Sequence, residues 1–502
     1  MSKNSISILL NNAIEYINKG QYAKANELLL KAQILSPDNP DILRFLAVVR
    51  ALKFDYRQAL EYIDQAIAVA SDNAIAHSNR GNILKELGKY EEALIALDRA
   101  IELAPDYAEA YNNKGNVLQE MRRYQESLAL YDKAISLQPN YAEAYSNKGN
   151  ALELLRQHNQ AIWHYEQAIA INPRYVDAYW HKAMTELPGG DFLAGWQNYE
   201  ARWFKTHPLQ FRYSGIARLQ SITDLAGKNI LIWAEQGLGD TLQFSRYIQM
   251  LSSFGAQVTF VAPKALRKVL NALNQFCTLI SDGEEIAESQ FDFQSPLLSL
   301  PLVFGTTLET IPAQIPYLDF DHGKKNLFAR ELGTSQKLKV GVIWNGGFRA
   351  DSPELWAINK RRNIELDVIC RLKDVSGVDF YSLQKGDPAE SELRARKEEL
   401  WPDLINYAHL LNDFSDTAAL MECLDLIISV DTSSAHLAGV LGRPVWILNR
   451  YDSCWRWLRG RSDSPWYPTA KIYQQNTLGD WIGVIEDVKV DLASLAAAHS
   501  KR

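Results

Sequence analysis

Residues 106–139 read DYAEAYNNKGNVLQEMRRYQESLALYDKAISLQP, and residues 140–173 read NYAEAYSNKGNALELLRQHNQAIWHYEQAIAINP. One is close to a copy of the other, displaced by 34 positions. The same step holds further up the chain. Proline stands at Pro37, Pro105, Pro139 and Pro173, with Ser71 in the vacant slot. Tyr22, Tyr56, Tyr90 and Tyr124 keep the step, and His158 takes the fifth place. Ala25, Ala59, Ala93 and Ala161 lie three residues behind, with Ser127 in the fourth unit, and Gly81, Gly115 and Gly149 share the period. This pattern predicts units of two antiparallel helices. Such a pair cannot bury its apolar faces alone, so units stack into a curved solenoid. Five units fit between about residues 5 and 174, and a degenerate sixth follows.

The period, the small residues at helix contacts and the proline at each unit end resemble the tetratricopeptide repeat. Solenoids of that kind hold extended peptides. Asn79, Asn113 and Asn147 recur at the step, and so do Asn82, Asn116 and Asn150. Within a unit the two are three apart and share one face of the first helix. A carboxamide offers both donor and acceptor, so a row of them meets a peptide backbone without reading its side chains. The row resembles the asparagine ladder of the O-GlcNAc transferase repeats, which implies that these six residues bind an acceptor polypeptide. They suit solvated helix surface equally well, and both readings stay open. The segment GDFLAGWQNYEARWF, 190–204, breaks the period. Its Trp196, Tyr199 and Trp203 are spaced for one apolar helix face, with Arg202 beside them. We expect a solenoid over 1–183 and a capping helix with connector over 184–226.

Composition narrows the function classes. The 502 residues carry a net charge of −7, and the longest basic cluster is KRR at 360–362. That is too little clustered charge for a nucleic-acid protein, yet enough for one pyrophosphate. The four cysteines, Cys277, Cys370, Cys423 and Cys454, form no CxxC pair, which fits a reducing compartment. No apolar run is long enough to span a membrane, and the first residues lack a signal-peptide pattern. A cytoplasmic protein is expected.

From 228 onward strands alternate with helices. NILIWAE, QVTFVAP, CTLISD and a stretch near FDFQSPLL read as strands of one series, with helices at TLQFSRYIQMLSSFG and KALRKVLNALN. IPAQIPYLDFDHGKK reads as a linker. A second series runs through KVGVIWNGG, IELDVICRL, VDFYSLQKG, DTAALMECL, DLIISVD, SAHLAGVLG and RPVWIL. Such βαβ series imply parallel sheets. Two Rossmann-like α/β halves with a cleft between them describe the GT-B arrangement. The expected bounds are 227–318 for the first half, 319–337 for the linker and 338–502 for the second half. Ligands in such sheets lie beyond the carboxyl ends of the strands.

Two strand-end loops stand out. AEQGLGDTLQF, 234–244, lacks the third glycine of a dinucleotide fingerprint at Leu242 and the acidic residue after the second strand. In SVDTSSAHLAGVLGRPVW, 429–446, a buried strand ends at Asp431, and Thr432, Ser433 and Ser434 open a helix with His436 in its first turn. A helix start with free N–H groups and hydroxyls suits phosphate. GLGD in one half and DTSSAHLAG in the other resemble the bacterial heptosyltransferases, which are GT-B glycosyltransferases. A bacterial group that joins tetratricopeptide repeats to such a domain is closer still. Its marks here are AEQGLGDTLQFSRY, GVIWNGG, RRNIEL, YSLQKGD, DFSDTAALMECLDLIISVDTSSAHLAG, WRWL, SPWYP and the final GDW. Heptosyltransferases have Gly where Ser433 stands.

The resemblance implies a sugar transferred from a nucleotide-sugar donor to a protein Ser or Thr hydroxyl, with inversion, the repeats holding the acceptor. It implies Asp240 as general base, with Gln236, Gly237 and Gly239 shaping its loop. As a bare residue, Asp240 also reads as a helix cap. Arg362 and Lys385 are expected on the diphosphate, and Gln384 on the nucleotide. Thr432, Ser433 and Ser434 are expected on the pyrophosphate, Asp431 and His436 on sugar or ribose hydroxyls, and Asn345 on the donor. Trp455, Arg456 and Trp457 fit either a sugar contact or a core. DFD at 319–321 looks like a DxD metal motif but stands in the linker, and the histidines show no ligand spacing, so no metal and no cofactor is expected. Two other readings remain: a saccharide or lipid-linked acceptor with the repeats as a docking arm, and a non-catalytic adaptor.

Overall fold

The computed structural model describes residues 3–205, 210–347 and 356–501. The chain divides into two compact units, Met1–Thr185 and Glu186–Arg502.

The first unit is a helical tetratricopeptide-repeat solenoid. Its helices pair in chain order, from Lys3–Asn18 with Tyr22–Leu35 to Ala142–Leu154 with His158–Ile171. In the third to fifth units the two helices meet at a glycine, and Ala13 and Ala47 hold that place in the first two. A Cβ on Gly115 would lie 2.6 Å from the Tyr131 ring, and one on Gly149 would lie 2.5 Å from Tyr165. Both tyrosines are buried. The first helix of each unit ends in a left-handed residue: Gly20, Phe54, Gly88, Arg122 and Arg156, with φ between 60° and 73°. The N–H of the next residue then returns to a carbonyl five positions back, as in Asp55 N to Arg50 O at 3.0 Å and Arg123 N to Leu118 O at 2.8 Å. This closure satisfies carbonyls at the helix end that have no partner within the helix. Glycine accepts it freely. Phe54, Arg122 and Arg156 hold it at a cost of about 1 kcal/mol each.

The second unit contains two parallel sheets. In the first, β1 (Asn229–Trp233), β2 (Gln257–Ala262), β3 (Cys277–Ser281) and β4 (Phe293–Pro296) lie in the order β3-β2-β1-β4. In the second, β5 (Leu338–Ile343), β6 (Val378–Ser382), β7 (Ile405–Asn406), β8 (Leu426–Val430), β9 (Val445–Asn449) and β10 (Ala470–Gln474) lie in the order β10-β9-β8-β5-β6-β7. That is the doubly wound order, in which the chain reverses its winding between β5 and β8. Both central strands are nearly all apolar, as buried parallel strands are. Val340, Val342, Ile428 and Val430 share one core with Val484, Ile485, Val488 and Leu492 of the C-terminal helix Trp481–His499.

Arg246 ties the first sheet's layer to the crossover and to the second half. Its guanidinium donates to Pro312 O at 2.7 Å, Trp466 O at 3.0 Å and Tyr317 Oη at 3.1 Å. Four expected elements differ. The helix expected over TLQFSRYIQMLSSFG breaks at Ser245 into Leu238–Phe244 and Arg246–Ser253. IELDVICRL holds only the short helix Leu366–Ile369, followed by three-residue turns over Cys370–Asp374. The helix expected over KALRKVLNALN is instead two runs of tighter three-residue turns, Lys264–Leu266 and Val269–Gln275. Leu266 and Val269, and then Leu270 and Leu273, are three apart, which a three-residue turn aligns on one side. The stretch read as linker contains the helix His322–Leu332. Asp321 is its N-cap, accepting from Lys324 N at 3.0 Å, which gives DFD a structural use. Among the described residues no group of His, Cys, Asp and Glu is placed to hold a metal ion, and no helix is long and apolar enough to cross a membrane.

Candidate functional site

The loop after β1 and the loop after β8 meet. Gly237 is the N-cap of the helix Leu238–Phe244, and its carbonyl accepts from Thr241 N at 3.1 Å. Thr432 caps the helix Ser433–Val440 through its hydroxyl. Gly239 lies against this second helix: a Cβ there would sit 2.7 Å from the His436 ring and 3.4 Å from Ser433 Cα. Only glycine lets the two loops approach this closely. Asp240, the next residue, is buried and is not the N-cap of its helix, though the Gly237 N–H points at its carboxylate. Its Oδ1 instead accepts from Arg456 Nε at 2.5 Å and is ion-paired with Arg456 Nη2.

Arg456 thus becomes the central cation, a role that the alternation Trp455, Arg456, Trp457 did not disclose. Both tryptophans are buried, so they belong to the core. Trp455 packs edge-on to Trp196 at 5.2 Å, and Trp457 stacks on His436 at 4.9 Å. Between them the guanidinium lies over the Trp455 ring at 4.2 Å and donates to Cys454 Sγ at 2.9 Å.

Charge at this point is mixed and tightly held. Burial pushes the Asp240 carboxyl above its ordinary value, and the Arg456 charge opposes that push. Burial also pushes His436 down to about 3, with Arg456 and Arg246 acting in the same direction. The imidazole is therefore neutral near pH 7. Its Nδ1 pairs with Tyr467 Oη at 2.9 Å, and its Nε2 is 4.0 Å from Asp431 Oδ1. Burial pushes Asp431 up as well, yet the groups facing it (His436, Arg450, Arg362 and Arg456) carry it below the usual carboxylate value. With His436 neutral its share of that lowering is absent, and the three guanidiniums oppose the push of burial.

Arg362 closes the floor. It donates to Asp431 O at 3.1 Å and to Asn359 Oδ1 at 2.7 Å. Gly346 lies so near that a Cβ there would run into the guanidinium. Arg450, at the end of β9, was not singled out from the sequence. It donates to Asp452 O at 2.9 Å, and its Nη1 is buried without a hydrogen-bond partner among the described residues. Ser433 and Ser434 are half-buried in the first turn of their helix, and their side chains make no hydrogen bond among the described residues. These groups lie beyond the carboxyl ends of β5 and β8, at the point where winding reverses.

Other expected residues spend their side chains on neighbouring protein groups. Gln384 is buried and spends its carboxamide on backbone, accepting from Trp344 N at 3.2 Å and Asn345 N at 3.0 Å and donating to Asn345 O at 3.1 Å. It fixes the end of β5, and with it Asn345. Lys385 turns to Ala408 O at 2.8 Å. Gln236 pairs with Tyr199 Oη at 2.9 Å. Glu235, which drew no notice in the sequence, has a buried side chain. It accepts from Arg202 Nη2 at 3.0 Å and from Leu298 N at 3.3 Å, joining the ends of β1 and β4. Burial raises its carboxyl to about 7 against the pull of Arg202.

In the repeats all six asparagines are half-buried. Asn113 Nδ2 donates to Ser78 Oγ and Asn147 Nδ2 to Asn112 Oδ1, each at 3.0 Å, so each leans on the preceding unit. Asn116 and Asn150 accept from Tyr131 Oη at 2.8 Å and Tyr165 Oη at 2.9 Å. At the corresponding position Asn82 faces a unit that carries Leu97 instead of tyrosine. The row is therefore partly committed. Asn113 and Asn147 keep their carbonyl oxygens, and Asn116 and Asn150 keep their amide donors.

Comparison with known proteins agrees on the repeats. A TPR repeat family matches residues 81–121, and a tetratricopeptide repeat family matches residues 106–174. Protein FlbA of Caulobacter vibrioides is 27% identical over 346 residues, covering 63% of this chain and 55% of its own length. The chain thus spans about half of that relative, and the matched share exceeds the repeat unit, so the likeness runs into the second unit. Among solved structures, a thermophilic TPR protein of Thermus thermophilus is similar at 20% identity and a TM-score of 0.35, covering 36% of this chain and 99% of its own. The pilF protein of Pseudomonas aeruginosa is similar at 21% identity and a TM-score of 0.33, covering 39% and 88%. The chain carries tetratricopeptide repeats followed by a region of two parallel sheets.

Proposed function

We propose that this protein is a GT-B glycosyltransferase that moves a sugar from a nucleotide donor to a Ser or Thr hydroxyl of a protein held by the repeats. One observation carries the reading: the loops ending β1 and β8 touch at Gly239 and His436, which sets the Asp240 carboxylate against Arg456 and beside Asp431, itself flanked by Arg362 and Arg450. In the proposed step Asp240 takes the proton of the acceptor hydroxyl, whose oxygen attacks the anomeric carbon. The bond from that carbon to the phosphate oxygen breaks, and the nucleoside diphosphate leaves with the electron pair. Positive charge for the leaving group comes from the guanidiniums and the first turn at Ser433, so the step needs no metal. A single displacement inverts the anomeric centre.

Calorimetry on the full chain against UDP, GDP, ADP, TDP and CMP tests the donor side. At least one should bind, and Arg362→Ala should weaken it by about 1.5–3 kcal/mol, the usual value of a charged hydrogen bond. Failure of every one of these ligands to bind would remove the transferase reading.

A second reading, a saccharide or lipid-linked acceptor with the repeats as a docking arm, draws support from the partly committed asparagines. The triple variant Asn79→Ala, Asn113→Ala, Asn147→Ala separates the two. At about 1 kcal/mol per bond, the protein-acceptor reading expects KM for the acceptor to rise on the order of tenfold or more. Donor hydrolysis without acceptor should stay the same. Unchanged KM would move the docking-arm reading ahead.

A further inference from the structure

Asp240 as a base has an obstacle in its own surroundings. A carboxylate oxygen that accepts from two N–H groups of one guanidinium is poorly placed to accept a hydroxyl proton. In this structure Arg456 covers Asp240 Oδ1 with Nε and Nη2, and the pair is largely shielded from solvent, with 14% and 12% of the two side chains exposed. Arg456 is otherwise held lightly. Its other donor contact is a sulfur, Cys454 Sγ, and its planar group rests on the Trp455 ring, which fixes the position of the head but not its partner. Nearby, Arg362 and Arg450 flank Asp431, and Arg450 Nη1 lies buried without an acceptor among the described residues. Three carboxylates, Asp240, Asp431 and Asp452, face four guanidiniums here, Arg361 and Arg450 both being ion-paired with Asp452, and His436 is neutral, so the cluster has room for further negative charge.

Resting on the transferase reading above, we infer that Arg456 is a shared ligand. It covers Asp240 when the cleft holds no donor, and it turns to the diphosphate of the donor when one binds. The base is then uncovered only in the donor-loaded protein. The exchange needs no large motion. A guanidinium stacked on Trp455 changes partners by rotating about its last bonds, and the donor's diphosphate, with one negative charge on each phosphate, competes for the same N–H pair. Asp240, released, keeps its place in the first turn of its helix, where the Gly237 N–H also points at it. The uncovered carboxyl then meets the acceptor hydroxyl.

If Asp240 and the diphosphate compete for Arg456, removing the Asp240 charge must tighten diphosphate binding, and it must do so through Arg456. Calorimetry with the tightest nucleoside diphosphate of the panel, and with inorganic pyrophosphate, measures this on the full chain. Four proteins complete the cycle: wild type, Asp240→Asn, Arg456→Gln and the double variant. Asp240→Asn is expected to bind about tenfold more tightly than wild type, and Arg456→Gln about tenfold more weakly. In the Arg456→Gln background the Asp240→Asn gain should fall below about threefold, leaving only general charge repulsion. An equal gain in both backgrounds, or none in either, overturns the exchange while leaving the transferase reading in place. Absence of binding to all four proteins overturns both. Should Arg456→Gln fail to fold, Arg456→Lys replaces it in the cycle, because an ammonium keeps the charge but loses the paired N–H groups. The Asp240→Asn gain should again fall below about threefold in the Lys background, and an undiminished gain there overturns the exchange.

Discussion

Asp240→Asn should lose sugar transfer by a hundredfold or more while keeping the fold and binding the nucleoside diphosphate at least as tightly as wild type. The substitution removes the proton acceptor and changes almost nothing in size. It does not remove a cap, because Gly237 is the N-cap and an Asn oxygen can still accept the Gly237 N–H that Asp240 accepts. Were Asp240 only a helix terminus, Asn would serve as well as Asp and activity would persist. The structural cost is small, since an Asn oxygen still accepts from Arg456 and the surrounding Trp196, Tyr199 and Phe244 packing is untouched. The measurement is transfer to the acceptor beside diphosphate affinity on the same preparation. Wild-type turnover in the Asn variant would end the base assignment.

Glu235→Gln should flatten the pH dependence of stability between about pH 5 and 7. In the folded protein burial raises this carboxyl from 4.5 to about 7. Between those values the native state holds a proton that the unfolded chain has released. Stability from this group is therefore complete below the unfolded value and is lost as pH rises through about 7. A tenfold change in proton affinity corresponds to about 1.4 kcal/mol, so the whole window is worth about 3 kcal/mol. Glutamine keeps an acceptor for Arg202 and cannot ionise. Arg202 retains Glu200 Oε1 at 2.6 Å and Ser299 Oγ at 2.7 Å, so the network survives the change. Urea unfolding at pH 5 and pH 7.5 is the check. The variant should gain on wild type at the higher pH, and parallel curves for the two proteins would sink the assignment.

The repeats were legible because their signal is redundant. Proline, tyrosine, alanine and glycine each carry the 34-residue step on their own. Eight of the ten strands were legible because buried parallel strands read as short apolar runs. β10, AKIYQ, interrupts its run with Lys471 and ends on Gln474, and β7 has only two residues. The helix Ala389–Leu400, AESELRARKEEL, is charged on nearly every side and shows no apolar stripe. The meeting of the GLGD and DTSSAH loops followed from strand-end logic. Arg456 as the partner of Asp240 did not, because 216 residues separate them and nothing local in WRW says which way the arginine points. Glu235 was hidden by its neighbours. Beside a glycine loop an acidic residue reads as solvated, and only the return of β4 to β1 buries it against Arg202 and Leu298.

The left-handed residue that ends the first helix of each unit makes the repeat a ruler. Gly20, Phe54, Gly88, Arg122 and Arg156 impose one backbone turn whatever side chain they bear, so every unit hands the chain on in the same direction. Reach can therefore change only in whole graduations of 34 residues. Excising the segment between two such residues rejoins like to like. Excising any other number puts a right-handed residue where the turn must be left-handed, and slides Gly115 and Gly149 away from the rings they admit. A chain built this way can lengthen or shorten its solenoid by copying or losing one graduation, without redesigning any contact inside the unit that remains.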